Sequence, residues 1–108
     1  MASTTIIRYR SASAQVHDWG NGKASVSNVY SPTRRRGAGT KLMQKVVKFA
    51  DIKGLILTTS AEPYGPHASE KDIPWLVEFY KKFGFKTPFP NKHPNWLIRH
   101  PSQKKHGV

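Results

Sequence analysis

The stretch Arg34-Arg35-Arg36-Gly37-Ala38-Gly39-Thr40 constrains this chain more than any other, because it joins a strand-like segment to an amphipathic helix and crowds the helix start with positive charge. A helix N-terminus already carries a partial positive charge, so Arg34, Arg35, Arg36 and Lys41 destabilise it unless an anion is held at the same place. Gly37 and Gly39 remove the side chains that would keep a bulky pyrophosphate from the backbone N–H groups of the first turn. The spacing therefore predicts a strand–loop–helix unit whose loop cradles phosphate.

Spacing also separates the kinds of phosphate loop. A P-loop ends in Gly-Lys-Ser/Thr after a longer glycine-bounded loop, whereas here Gly39 is followed by Thr40-Lys41 and no earlier glycine stands at the required distance. A dinucleotide fingerprint needs a small residue where this chain has Leu42, and room for two mononucleotide-binding halves. A further reading takes the arginine run as a solvated or nucleic-acid-binding cluster.

At 108 residues the chain has enough material for one core, so residues 1–108 are expected to form a single domain with a polar tail after about 101. Its net charge of +12 predicts attraction to polyanions or to acidic or nucleic-acid-associated partners. A cofactor with several phosphates would account for part of that charge. Lys81, Lys82, Lys86, Lys104 and Lys105 lie far from the glycine loop and suggest a basic substrate-facing surface as well. With no cysteine, disulfides, thiolate metal sites and cysteine nucleophiles are excluded. His17, His67, His93, His100 and His106 lack metal-ligand spacing, so no metal site is expected. Nothing resembles a signal peptide or a membrane span, and a cytoplasmic location is the expectation.

Strands are expected over Thr4–Arg10, near Gln15–Trp19 and over Lys23–Tyr30, the last two joined through Gly20-Asn21-Gly22. In Lys23–Tyr30 the apolar parity changes between Val26 and Val29, which is what a β-bulge produces. From Gly39 to about Lys53, Leu42, Val46, Phe49 and Ala50 recur at helical spacing, and Gly54 supplies the stop. Leu55-Ile56-Leu57 followed by Thr58-Thr59-Ser60 reads as a buried strand reached by a right-handed crossover. A second helix, capped by Ser69 or Asp72 with Pro74 in its first turn, buries Leu76, Phe79, Tyr80 and Phe83, pairs Glu78 with Lys82, and stops at Gly84. Phe85–Phe89 and Trp96–His100 are expected as final strands. The fold class is thus mixed α/β (α+β), with a central, mostly antiparallel mixed sheet and two main helices.

Two motifs carry a resemblance to a known family. Arg34, Gly37 and Gly39 fit the Arg/Gln-x-x-Gly-x-Gly/Ala pyrophosphate loop of the GNAT N-acetyltransferases, and Val29-Tyr30-Ser31 resembles the Val-x-Pro that precedes it, with the proline displaced to Pro32. Leu76-Val77-Glu78-Phe79-Tyr80-Lys81-Lys82-Phe83-Gly84-Phe85 is similar to the family's Leu-x-x-Phe-Tyr-x-x-x-Gly-Phe. The resemblance runs from about Lys23 to Phe85 and lacks the family's front helices, so the chain looks like a minimal, phage-like member with a truncated GNAT fold. It implies an acyltransferase that moves an acetyl group from acetyl-CoA to an amine. The alternatives are a basic nucleic-acid-binding module, or a GNAT relic that binds coenzyme A without turnover.

The resemblance also assigns roles. Arg34, Arg35, Arg36, Gly37, Ala38, Gly39 and Thr40 would hold the pyrophosphate, while backbone groups of Val29, Tyr30 and Ser31 would pair with the pantetheine arm like an added strand. The strand before the loop would splay at its bulge to open a slot for the thioester. Tyr80 would be the catalytic acid, giving its proton to the departing thiolate, a transfer uphill by ~2 kcal/mol between unperturbed groups. For the base, Glu62, His67, His17, Asp18 and a water chain all stay open. An open, basic acceptor side favours a macromolecular amine, either a protein lysine or an amine linked to nucleic acid, with Tyr64, Trp75 and Trp96 as candidates to line its approach. With the front helices missing, that side is expected to be open or completed by a second copy in a homodimer.

Overall fold

The computed structural model describes residues 2–30, 37–62 and 70–101. Its frame is a five-stranded sheet whose order follows the chain, β1 (Ser3–Tyr9), β2 (Ala12–Asp18), β3 (Lys23–Tyr30), β4 (Ile56–Ser60) and β5 (Trp96–Arg99). Helix α1 (Ala38–Lys53) connects β3 to β4, and these two strands are parallel; every other neighbouring pair is antiparallel. A short 3₁₀ turn (Glu70–Asp72) leads into α2 (Ile73–Lys81). Among the described residues no helix is long and apolar enough to cross a membrane.

Local sequence accounts for most of the boundaries. Asp18 accepts the N–H of Gly20 at 2.9 Å, and Gly20 and Gly22 both take positive φ, so the β2–β3 turn is an Asp-initiated turn that only glycines complete comfortably. At the end of α1, Gly54 adopts the left-handed conformation, and its N–H and that of Leu55 satisfy the last carbonyls. Pro74 sits in the first turn of α2, where its missing N–H leaves no helical bond unmade.

The sheet buries one face. Ala12, Ala14, Val16, Ala24, Val26, Leu57, Thr59, Leu97 and Arg99 share a parity across the register and are all buried. The alanines on β2 leave a shallow surface beside β1 on which α1 packs, its Leu42, Met43, Val46 and Ala50 joining the same buried cluster. Both helices serve this face, because Arg99 on β5 reaches each of them. Its guanidinium meets the Asp51 carboxylate of α1 through two bonds (2.8 and 3.1 Å), and its Nε donates to the Phe83 carbonyl at the end of α2 (2.6 Å).

Several expected elements differ. The second strand begins at Ala12 rather than near Gln15, since the turn at Arg10 and Ser11 is tight and Tyr9 pairs directly with Ala12. Phe85–Phe89 is not a strand. Only Lys86 forms a bridge, to Ile98, because Phe85 is buried against Tyr80 and the prolines at 88 and 90 have no N–H to continue a ladder. Glu78 pairs with Lys81 (3.6 Å) in place of Lys82, and both partners are exposed. Asp72 stands at the start of α2 but makes no side-chain capping bond; Ser69 lies outside the described residues.

Replacing Arg99 by Met removes the guanidinium that bonds the Asp51 carboxylate and the Phe83 carbonyl, and should destabilise the fold by about 3 kcal/mol in urea unfolding. Combining it with Asp51→Leu should recover much of that loss, because no uncompensated charge then remains.

Candidate functional site

The β3–β4 ladder runs from Lys23 opposite Ile56 to Val26 opposite Thr59 and stops there. On the other side of β3, Ser27 pairs with Gln15 and Tyr30 with Ser13, so Asn28 and Val29 together oppose the single residue Ala14. This is a β-bulge, at the place where the apolar parity changes. Asn28 takes a φ of 51°, and its side-chain amide donates to Gln15 Oε1 at 2.9 Å, which fixes a conformation that asparagine tolerates better than most residues. A bulge bends its strand, and here β3 turns away from β4 and leaves a cleft of about 350 Å³.

Ser25, Ser27, Asn28 and Val29 line the cleft from β3, Thr58, Thr59, Ser60 and Glu62 from β4 and its exit, Trp96 from β5 and Tyr80 from α2. Where the ladder ends, the carbonyl of Val26 accepts the buried hydroxyl of Thr59 at 2.9 Å. Tyr80 is held by its own stripe, with Phe79 and Phe85 rings 5.7 and 5.5 Å away, and is 2 % exposed. Burial pushes its hydroxyl up to about 12 from the ordinary 10.0, partly opposed by a hydrogen bond with Thr59. Thr59 has one hydroxyl hydrogen, and while it is given to Val26 the same oxygen can only accept from Tyr80. That arrangement holds the neutral phenol; the opposing effect operates only when Thr59 turns to donate.

The glycine loop meets α1 as expected where it is described. Gly37 precedes the helix in the left-handed conformation, φ 77°, which favours glycine whatever the space, and among the described residues a Cβ there would meet nothing within 4 Å. No side chain caps the helix and its first turn holds no acidic residue. Ala38 is buried, Gly39 half-buried and Thr40 exposed. The partial positive charge of the first-turn N–H groups is therefore not offset by an acidic side chain of that turn. Ser31, Arg34, Arg35 and Arg36 lie outside the described residues.

Of the other candidates, Val29 lines the cleft, whereas Tyr30 pairs with Ser13 beyond the bulge. Glu62 is exposed at the cleft, but His17 is bonded to Thr4 Oγ1 (2.7 Å) and Asp18 serves the turn, both outside the lining. Trp96 lines the cleft; Trp75 stacks on Phe79 and is half exposed, so it is neither core nor lining. Tyr64 and His67 fall outside the described residues. Thr59 was not anticipated, although three consecutive hydroxyl residues ending an otherwise apolar strand are a visible signal for a polar site.

No family model matches the sequence, and no curated protein matches it either. The fold is similar to that in the crystal structure of the anti-CRISPR protein AcrVA5, with a TM-score of 0.72 over 89% of this chain and 97% of that one, at 21% sequence identity. The likeness supports the mixed α/β architecture with its five-stranded sheet and two helices.

Because the folded-state value of Tyr80 lies above the unfolded one, its contribution to stability is complete below pH 10 and is lost as pH rises toward about 12. Denaturant midpoints measured across that window should fall further for the wild type than for Tyr80→Phe, the difference approaching about 3 kcal/mol above pH 12.

Proposed function

We propose that this protein is an acetyl-CoA-dependent N-acetyltransferase of the GNAT type that modifies an amine on a macromolecule. The observation that carries the reading is the cleft opened by the β3 bulge beside a parallel neighbour, with the Tyr80 hydroxyl beneath it. The glycine loop and the cleft suit the two ends of the donor. Gly37 to Thr40, with Arg34, Arg35 and Arg36, would hold the pyrophosphate at an uncapped helix start. Backbone groups of Val29, Tyr30 and Ser31, beyond the last β3–β4 pair, would hold the pantetheine arm. Bound there, acetyl-CoA would supply an activated acetyl group and a sulfur that needs a proton on leaving.

Tyr80 would supply that proton. With its hydroxyl at about 12 and a thiol near 8.5, complete transfer at those values would be uphill by about 5 kcal/mol. The phenol therefore keeps its proton until charge develops beside it. For this it must turn from Thr59 toward the cleft, and Thr59 keeps its bond to Val26 while it does so. The high value also means that the acid stays protonated across the physiological range. Among the described residues of the cleft, Glu62 is the one able to accept a proton from an ammonium group, either directly or through water.

The likeness to an anti-CRISPR protein suggests that the acceptor belongs to a CRISPR system. The net charge of +12 favours a second reading, a nucleic-acid-binding module, whose affinity should fall steeply with salt and not depend on coenzyme A.

Calorimetric titration with acetyl-CoA should show saturable binding; its absence removes the acetyltransferase and the relic together. Tyr80→Phe should keep that affinity while lowering kcat by roughly 10²-fold. The wild-type rate should show no alkaline loss attributable to Tyr80 below about pH 10. Unchanged turnover in the variant would show that Tyr80 is not the acid.

A further inference from the structure

One face of the sheet is covered by neither helix. The parity opposite the core places Thr4, His17, Ser25, Thr58, Ile98 and Lys86 in a row across the strands, and none of them is buried. At the usual strand spacing the row is roughly 24 Å long, the scale of a protein contact patch. The cleft opens onto this face, since Ser25, Ser27, Thr58, Ser60 and Trp96 belong both to its lining and to the uncovered parity. Tyr80 approaches from the opposite, helix-covered side.

The charges on this face are ordered. Arg8 on β1, Lys23 at the start of β3 and Lys86 beside β5 share the uncovered parity and stand at its margins, each of them exposed. Glu62 stands at the cleft and is the acidic residue of its lining. Beside it, the Trp96 ring stacks on Phe89 (6.0 Å) and offers an apolar wall. The face therefore presents cations around a rim and one anion with an aromatic neighbour at the opening.

We propose that this uncovered face is the docking surface for the acceptor, and that the acceptor is an acidic protein surface presenting a single lysine to the cleft. The inference rests on the acetyltransferase reading for its chemistry and on charge complementarity for its partner. A lysine ammonium meets Glu62, its methylene stem lies along Trp96, and the acidic surroundings of that lysine meet Arg8, Lys23 and Lys86. RNA fits the rim but sets phosphate against Glu62. A second copy of this chain brings another +12 charge and the same rim cations against its own.

The test uses the full chain and fluorescent peptides with one central lysine, flanked by Asp and Glu in one peptide and by Arg in the other. Anisotropy without cofactor should show the acidic peptide binding about ten-fold more tightly, and kcat/KM with acetyl-CoA should favour it by a similar factor. Lys23→Glu with Lys86→Glu should invert the preference while leaving acetyl-CoA affinity unchanged, a reversal that loss of folding cannot imitate. Glu62→Gln should weaken the lysine peptide but not its norleucine counterpart. Equal affinity for the two peptides, or displacement of the acidic peptide by oligouridylate at lower concentration than by itself, overturns the proposal. Peptide selectivity without any acetyl-CoA binding would instead uphold the docking surface and reject the transferase.

Discussion

The structure depends on how a parallel pair of strands is held together at the point where it parts. At the last pair of the β3–β4 ladder the hydroxyl of Thr59 donates to the Val26 carbonyl, a side-chain bond that ties the two strands where their pairing stops. The bond commits the only hydrogen Thr59 has, and so leaves its oxygen as an acceptor for Tyr80. One threonine thereby ties the strands at the end of the ladder and sets the direction of the phenol hydrogen beneath the cleft. Valine would keep the shape and lose both functions.

An opening in a sheet is a source of weakness, and the covered face compensates for it. Small alanines on β2 let α1 sit close to β1 and β2, while the aromatic stripe of α2 supports Tyr80 from below. Arg99 joins β5, α1 and the end of α2 through the Asp51 carboxylate and the Phe83 carbonyl. Gly84 makes room for it, since a Cβ there would lie 3.4 Å from the Arg99 Nε, at a backbone φ of 94° that already favours glycine. The glycine just beyond the second helix and the residue that ties that helix down are therefore fitted to each other.

Much of this was legible in the chain. The span of β3, the shift in its parity after Val26 and the stop at Gly54 rest on local rules of alternation, bulges and glycine conformation, and each appears where expected. Tyr80 could be picked out because its helix carries a motif and a stripe together. The Arg99–Asp51 pair was hidden, since the partners are far apart in sequence and each looks like an ordinary surface charge. Strand-like residues at Phe85–Phe89 misled for a related reason: their apolar character serves tertiary packing on Tyr80, and flanking prolines limit pairing to Lys86. Sequence pattern reports which residues want burial, but not which partner will provide it.

The bulge at Asn28 and Val29 has an evolutionary reading. A single supernumerary residue separates a β3 that diverges from its neighbour from one that could zip onward toward Ser60, so the cavity is encoded by chain length at one point and only secondarily by the side chains that line it. Substitutions among the lining residues should therefore leave a receptacle in place, whereas a one-codon deletion in β3 should seal it. Insertions and deletions, more than substitutions, are the changes to which this receptacle is vulnerable.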